Sequence, residues 1–199
     1  EWAPIIKDSG FEGIIVSITN PCDVIAEYLQ KLTKLPKERV IGTGTIIDTA
    51  RMKNAVAKYV GLDPDSIDGY VIGEHGNSQF VAWSKVSIAT QALNKILDEK
   101  SFDQIEEAAR MKGFEIIQGK GYTSYGIANA ATIIVETIFN DSKTILPVSS
   151  YSSEAGCYIG HPAVVGRQGI IRDFHLELDE KEQEKWNHSV ETIKNTRPN

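Results

Sequence analysis

A chain of 199 residues can form one large domain, or one domain with part of a second. Its 41% hydrophobic and 24% charged content suits a globular fold, and a formal net charge of -6 argues against a polyanion as the main partner, since nucleic-acid binding usually needs a basic face. No apolar run approaches the roughly 20 residues of a membrane-spanning helix. Glu1-Trp2-Ala3-Pro4 does not read as a signal peptide, so a cytoplasmic setting is expected and the sequons at Asn140 and Asn187 read as chance. Cys22 and Cys157 form no CxxC pair, which argues for reduced thiols and against a zinc site or a disulfide framework.

In chain order, residues 2–7 read as the end of a helix stopped by Asp8-Ser9-Gly10. The continuous apolar run 13–19 (GIIVSIT) has the pattern of a strand buried on both faces. Asn20-Pro21 should open a helix over 22–33, with Asn20 as N-cap and Pro21 as the first helical residue. Lys34-Leu35-Pro36 breaks that helix, and residues 39–41 form a short strand. The turn 42–45 leads into a helix reaching toward Tyr59. Residues 69–72 read as a strand, and the partial alternation over 80–87 predicts a half-exposed antiparallel strand. Helices over 103–118 and 124–140 follow, separated by Gly119-Lys120-Gly121, then two or three strands between Thr144 and Ile171. A last helix starts near Asp179, where Glu182 three residues on makes a capping box, with Trp186, Val190 and Ile193 on its apolar side. The expected fold class is α/β: the end of a Rossmann-type parallel sheet over residues 1–42, then an α+β domain with antiparallel strands over 43–199.

His75 stands after a predicted strand between Gly73 and Gly76, where small neighbours leave room for a substrate and an imidazole can exchange a proton near neutral pH. Loop histidines are also common without any role, and His161, His175 and His188 read as structural or solvated. Asp48 and Arg51 share one helix face, which suits a plain surface ion pair. Taken alone the ion pair is the better reading, beside a divided task in which Arg51 grips a carboxylate through two hydrogen bonds and Asp48 holds a ring N–H of His75. Asn20, at the carboxyl end of the buried strand, is either a helix cap or a donor to a ketone oxygen. The Gly42-Thr43-Gly44 turn lacks the third glycine of a dinucleotide fingerprint, Ile47 standing in its place, and reads as a turn. Together an arginine, an asparagine and a histidine–aspartate pair supply what reduction of a 2-oxo acid requires: an anchored carboxylate, a polarised carbonyl and a delivered proton.

Four ordered strings, SITNPCDVI (17–25), VIGTGTIIDTARMK (40–53), GYVIGEHGNSQFVAWS (69–84) and GKGYTSYGIA (119–128), resemble the L-lactate dehydrogenases of the lactate/malate dehydrogenase superfamily. GEHGNSQFVAWS, DTARM and GKGYTSYG are most similar to the L-2-hydroxyisocaproate dehydrogenases. The resemblance implies an NAD-dependent L-2-hydroxy acid dehydrogenase acting on a small 2-oxo or 2-hydroxy acid. It implies His75 as proton donor and acceptor, Asp48 as its orienting partner, Arg51 as carboxylate clamp and Asn20 at the reacting oxygen, beside the nicotinamide. Thr123 would line the substrate pocket, and Ile18, Thr19, Thr43 and Ile127 would lie near the nicotinamide end of NAD. The Asn20-Pro21 bond is expected to be cis, the assembly a homo-oligomer, tetramer or dimer, and neither a metal nor a membrane is implied.

The resemblance covers a C-terminal portion only. The strand-GxGxxG-helix unit and its ribose-binding acid do not occur, so on the order of 100 residues of dinucleotide-binding fold are expected upstream. The chain alone should then bind NAD poorly, turn over little and associate through its first strand. Relatives activated by fructose 1,6-bisphosphate carry an arginine and a histidine where this chain has Lys53 and Asp68, so no such activation is expected. A malate dehydrogenase, or a non-catalytic oligomerisation module built on the helices around 45–59 and 124–140, are the rival readings.

Overall fold

The computed structural model describes residues 2–120 and 124–197. A short helix, α1 (Trp2–Asp8), precedes the strand β1 (Ile15–Ser17), which is shorter than the apolar run that encodes it. Its ladder is limited by its partner: β1 runs parallel to the three-residue β2 (Val40–Gly42), pairing Ile15 with Val40 and Ser17 with Gly42. The Asn20-Pro21 bond is cis. Helix α2 (Cys22–Thr33) has the expected bounds, but Pro21 (φ -68°, ψ 122°) is extended and takes the cap position expected for Asn20, without a side-chain cap. The helix stops where the sequence says it should. Lys34 turns left-handed (φ 62°) and donates its N–H to the Gln30 carbonyl before Leu35-Pro36.

Helix α3 (Ile46–Val60) ends at the left-handed Gly61. The strands β3 (Ile67–Asp68) and β4 (Val71–Ile72) follow. The single strand expected over 80–87 is instead β5 (Phe80–Val81), a 3-10 turn over Trp83–Lys85, and β6 (Ser87–Ile88). The Glu182 carboxylate causes the break by accepting both the backbone N–H and the hydroxyl of Ser84, at 2.8 and 2.6 Å. After β7 (Gln91–Ala92), helix α4 (Glu99–Lys120) starts earlier than expected. Asp98 accepts the backbone N–H of Ser101 at 2.9 Å, the bond made by an N-cap residue. Helix α5 (Tyr125–Asn140), the three strands β8 (Thr144–Ser152), β9 (Cys157–Gly166) and β10 (Gly169–Asp173), and helix α6 (Glu180–Thr196) complete the order. The Asp179–Glu182 capping box is formed in full.

The main sheet has the order β1-β2-β8-β9-β10, parallel only between β1 and β2. This is an α/β fold with a mixed, largely antiparallel sheet. Ile133, Ile134 and Ile138 of α5 pack against Ile41, Val148 and Val165 of the sheet. Ala26 and Leu29 of α2 cover Val40 and Tyr158, and Trp186 and Ile193 of α6 cover Cys157 and Ile159. Helices on both sides explain why every residue of β9 is buried, an uncommon pattern for an antiparallel strand. A separate core joins α3 and α4 through Met52, Val56, Leu93 and Ile105, and Trp83 stacks on Phe102 at 4.6 Å. Each such side chain contributes about 1.5–3 kcal/mol on burial. Among the described residues, no helix is long and apolar enough to cross a membrane.

Candidate active site

The short strand β4 is fixed to α3 by two threonines. Thr45 donates its hydroxyl to the Val71 carbonyl at 2.6 Å, and Thr49 accepts the Val71 N–H at 3.0 Å. Immediately after Ile72 the chain is clamped again, where Gly73 and Gly160 of β9 exchange both backbone hydrogen bonds at 2.9 and 3.0 Å. Gly73 has φ +100°, and a Cβ there would stand 2.6 Å from the Ser189 hydroxyl. Its small size therefore admits α6 rather than a ligand. The Glu74 N–H donates to that hydroxyl at 2.6 Å.

The loop so fixed delivers His75 to the first turn of α3. Its Nδ1 lies 2.9 Å from Asp48 Oδ2, and the other carboxylate oxygen accepts from Arg51 at 3.2 Å, one turn along the helix. Asp48 is buried, while His75 and Arg51 are partly exposed. Burial of Asp48 would raise its pKa, but the His75 hydrogen bond, the His75 charge and Arg51 outweigh it and hold the carboxyl below its ordinary value. Burial disfavours a charged His75 ring, yet the Asp48 hydrogen bond and the charges of Asp48 and Asp23 win, and the imidazole pKa rises. The histidine and the arginine expected to cooperate thus each lie within hydrogen-bond reach of Asp48.

One residue of this group was not anticipated from the sequence. Asp23, in the first turn of α2, accepts the backbone N–H of His75 at 2.8 Å and the Ser149 hydroxyl at 2.6 Å. It joins α2, β8 and the histidine loop in one polar network. Burial pushes its pKa up to about 6 against the lowering effect of those two bonds. An acidic residue in a first turn reads as a partner of the helix dipole, and that signal masks its tertiary role.

Asn20 lies three residues before Asp23, exposed at the carboxyl end of β1 together with Ile18 and Thr19. Ile18 leaves 54% of its surface open. Thr43 is buried, its hydroxyl 4.0 Å from Cys22 Sγ, and its backbone N–H donates to the Ser17 carbonyl. Ile127 is half-buried in the first turn of α5, where a Cβ on neighbouring Gly126 would meet Ile47 of α3 at 3.7 Å. Thr123 lies outside the described residues. Both cysteines are free and buried, and burial raises the thiol pKa to about 12 at Cys22 and about 11 at Cys157. Among the described residues no group of three or more His, Cys, Asp or Glu is arranged to hold a metal ion.

The sequence and this mixed sheet match a known class. Residues 45–197 match the lactate/malate dehydrogenase, alpha/beta C-terminal domain, and the chain belongs to that family. Among curated relatives, L-lactate dehydrogenase 2 of Bacillus cereus is 38% identical over 201 residues, 96% of this chain and 64% of the relative. An L-lactate dehydrogenase of Halalkalibacterium halodurans is 42% identical over 95% of this chain and 62% of its own length. The chain thus spans a little under two thirds of both. Among solved structures, a lactate dehydrogenase from a Medee basin deep-sea metagenome superposes with a TM-score of 0.91 at 34% identity, covering 97% of this chain and 67% of that one. The malate dehydrogenase of Aeropyrum pernix gives 0.91 at 33% identity, covering 98% and 66%.

Proposed function

We propose that the chain is the substrate-binding portion of an NAD-dependent L-2-hydroxy acid dehydrogenase of the L-lactate or L-2-hydroxyisocaproate type. The observation that carries this reading is the 2.9 Å contact between His75 and buried Asp48, with Arg51 one helical turn away. Asp48 fixes the ring orientation and favours its charged form, so His75 can hold the proton that a reduced carbonyl takes up. Arg51 shares only one Asp48 oxygen and offers the rest of its guanidinium to a substrate carboxylate. Asn20 donates to the reacting oxygen, and Thr123 borders the substrate.

The exposed Ile18-Thr19-Asn20 end of β1 suits the ring end of NAD, since it offers one flat apolar contact beside polar groups. Thr43 and Ile127 complete that neighbourhood. NAD, when bound, supplies the hydride. On this reading residues 1–42 belong to the nucleotide-binding unit and 43–199 to the substrate-binding unit, and this portion alone has little activity. The assembly is a cytoplasmic homo-oligomer, dimer or tetramer.

NADH oxidation by the full-length protein, offered pyruvate, 4-methyl-2-oxopentanoate and oxaloacetate in parallel, tests the proposal. The first or second substrate should turn over fastest. Preference for oxaloacetate would make the protein a malate dehydrogenase, the reading favoured by the Aeropyrum likeness. Silence with all three would defeat the assignment.

A further inference from the structure

The end of β8, strands β9 and β10 and the segment leading into α6 line an open cavity of about 430 Å³, and none of Asp48, Arg51 and His75 lines it. His161 of β9 stands in its wall with 4% of its surface exposed. Its Nδ1 is 2.8 Å from the Ile159 carbonyl oxygen, which can only accept, so Nδ1 carries the proton. Burial lowers the pKa of this ring, and in the neutral form Nε2 is left as an acceptor. That buried atom has no hydrogen-bond partner among the described residues. Its nearest charged neighbour, the Asp173 carboxylate at 3.7 Å, is an acceptor too.

Native structures rarely leave such an atom unsatisfied, and the carboxylates beside this one cannot satisfy it. Glu154 adds a second carboxylate, hydrogen-bonded to His175. Among the described residues no lysine or arginine lines the cavity, and Arg172 stacks instead on the Phe174 ring at 4.7 Å. Leu178 and Trp186 make the opposite character, an apolar wall.

We propose that this cavity binds a small organic ammonium ion with an apolar or aromatic body, whose N–H groups donate to His161 Nε2 and the Asp173 carboxylate. The apolar body lies against Leu178 and Trp186. A carboxylic acid of the kind Arg51 suits would face the Asp173 and Glu154 carboxylates here, so the two sites select opposite charges.

Titration calorimetry on the full-length protein with 2-phenylethylamine, 2-phenylethanol and phenylacetate tests the site. The amine should bind saturably at one site per chain, with the alcohol and the acid each weaker by about tenfold or more, the scale of one charge-assisted contact. Asp173→Asn, at a half-exposed position, and His161→Phe should each weaken the amine by about tenfold. The Asp173 variant carries the test if the His161 variant does not fold. His75→Gln should leave amine binding unchanged. Absence of saturable binding up to about 10 mM would mean that water alone satisfies His161 and would overturn the proposal. Equal binding of phenylacetate, indifference to both cavity variants, or loss of binding in His75→Gln would overturn it as well.

Discussion

Two aspartates meet His75 at different atoms, and although burial raises the pKa of both, their partners leave them with opposite shifts. Asp48 touches the ring and has a depressed pKa, whereas Asp23 touches the backbone N–H and titrates at about 6. The Asp48 contribution to stability is present above an ordinary carboxylate pKa of about 4 and fades as pH falls through its lower folded value. The His75 contribution is complete below about 6.5 and fades as pH rises through its higher folded value. Asp23 behaves like neither: the fold favours its protonated form, so its contribution is lost as pH rises from about 4 through about 6. Asp23→Asn keeps an acceptor for the His75 N–H and should flatten the fall in melting temperature between pH 4 and 6 relative to the parent; an unchanged slope would refute this account.

Chemistry should divide the two aspartates as well. His75→Gln should lower kcat of the full-length enzyme by about 10²–10⁴ with its oligomeric state intact, the range expected for a lost general acid. Asp48→Asn should move the alkaline limb of kcat/KM for 2-oxo acid reduction to lower pH, because the imidazolium loses its charged partner. A pH profile displaced upward, or not at all, would count against the proton role given to His75.

At the scale of elements, α6 depends on one carboxylate with three donors. Glu182 accepts from Ser84 twice and from the Asp179 N–H, so it closes the capping box and pins the 3-10 turn after β5. Asp179→Ala should cost about 1 kcal/mol, the usual value of a cap. Glu182→Ala should cost more, about 2–3 kcal/mol, since it also leaves the Ser84 donors unsatisfied. Urea unfolding of both variants checks the order. The capping box was legible because it is a local code, S/T/D-x-x-E just before an apolar stripe. The second use of Glu182 was not legible, because it joins residues far apart in sequence. That contact also explains why 80–87 misled: its alternation belongs to two strand ends and a turn. Asp48, Arg51 and His75 were readable as candidates one by one from their spacing. Their meeting depends on threonines 45 and 49 holding Val71, which no local pattern announces.

For the whole molecule, the sheet edge and the helix surfaces decide what the chain associates with. The strand order leaves β1 at an edge, and among the described residues no strand pairs with its other side. Tyr125 and Phe139 of α5 are 79% and 76% exposed. Such apolar exposure is what an interface between subunits or with further chain would cover. The exposed Asp68 carries the same sign as a phosphate. Fructose 1,6-bisphosphate should therefore leave the activity of the full-length protein unchanged at any substrate concentration, and activation would overturn that expectation.

The register Gly42↔Ser149 is the single residue pair by which β2 meets β8. On a ribosome the two arrive far apart in time. Strand β2 emerges early and has only β1 as a neighbour until Thr144–Ser152 has been synthesised, so the nascent chain must keep an apolar strand unpaired on one side while helices α3, α4 and α5 are made. Chaperone capture of this protein during synthesis should consequently centre on residues 13–19 and 40–42 and end once β8 is released from the exit tunnel.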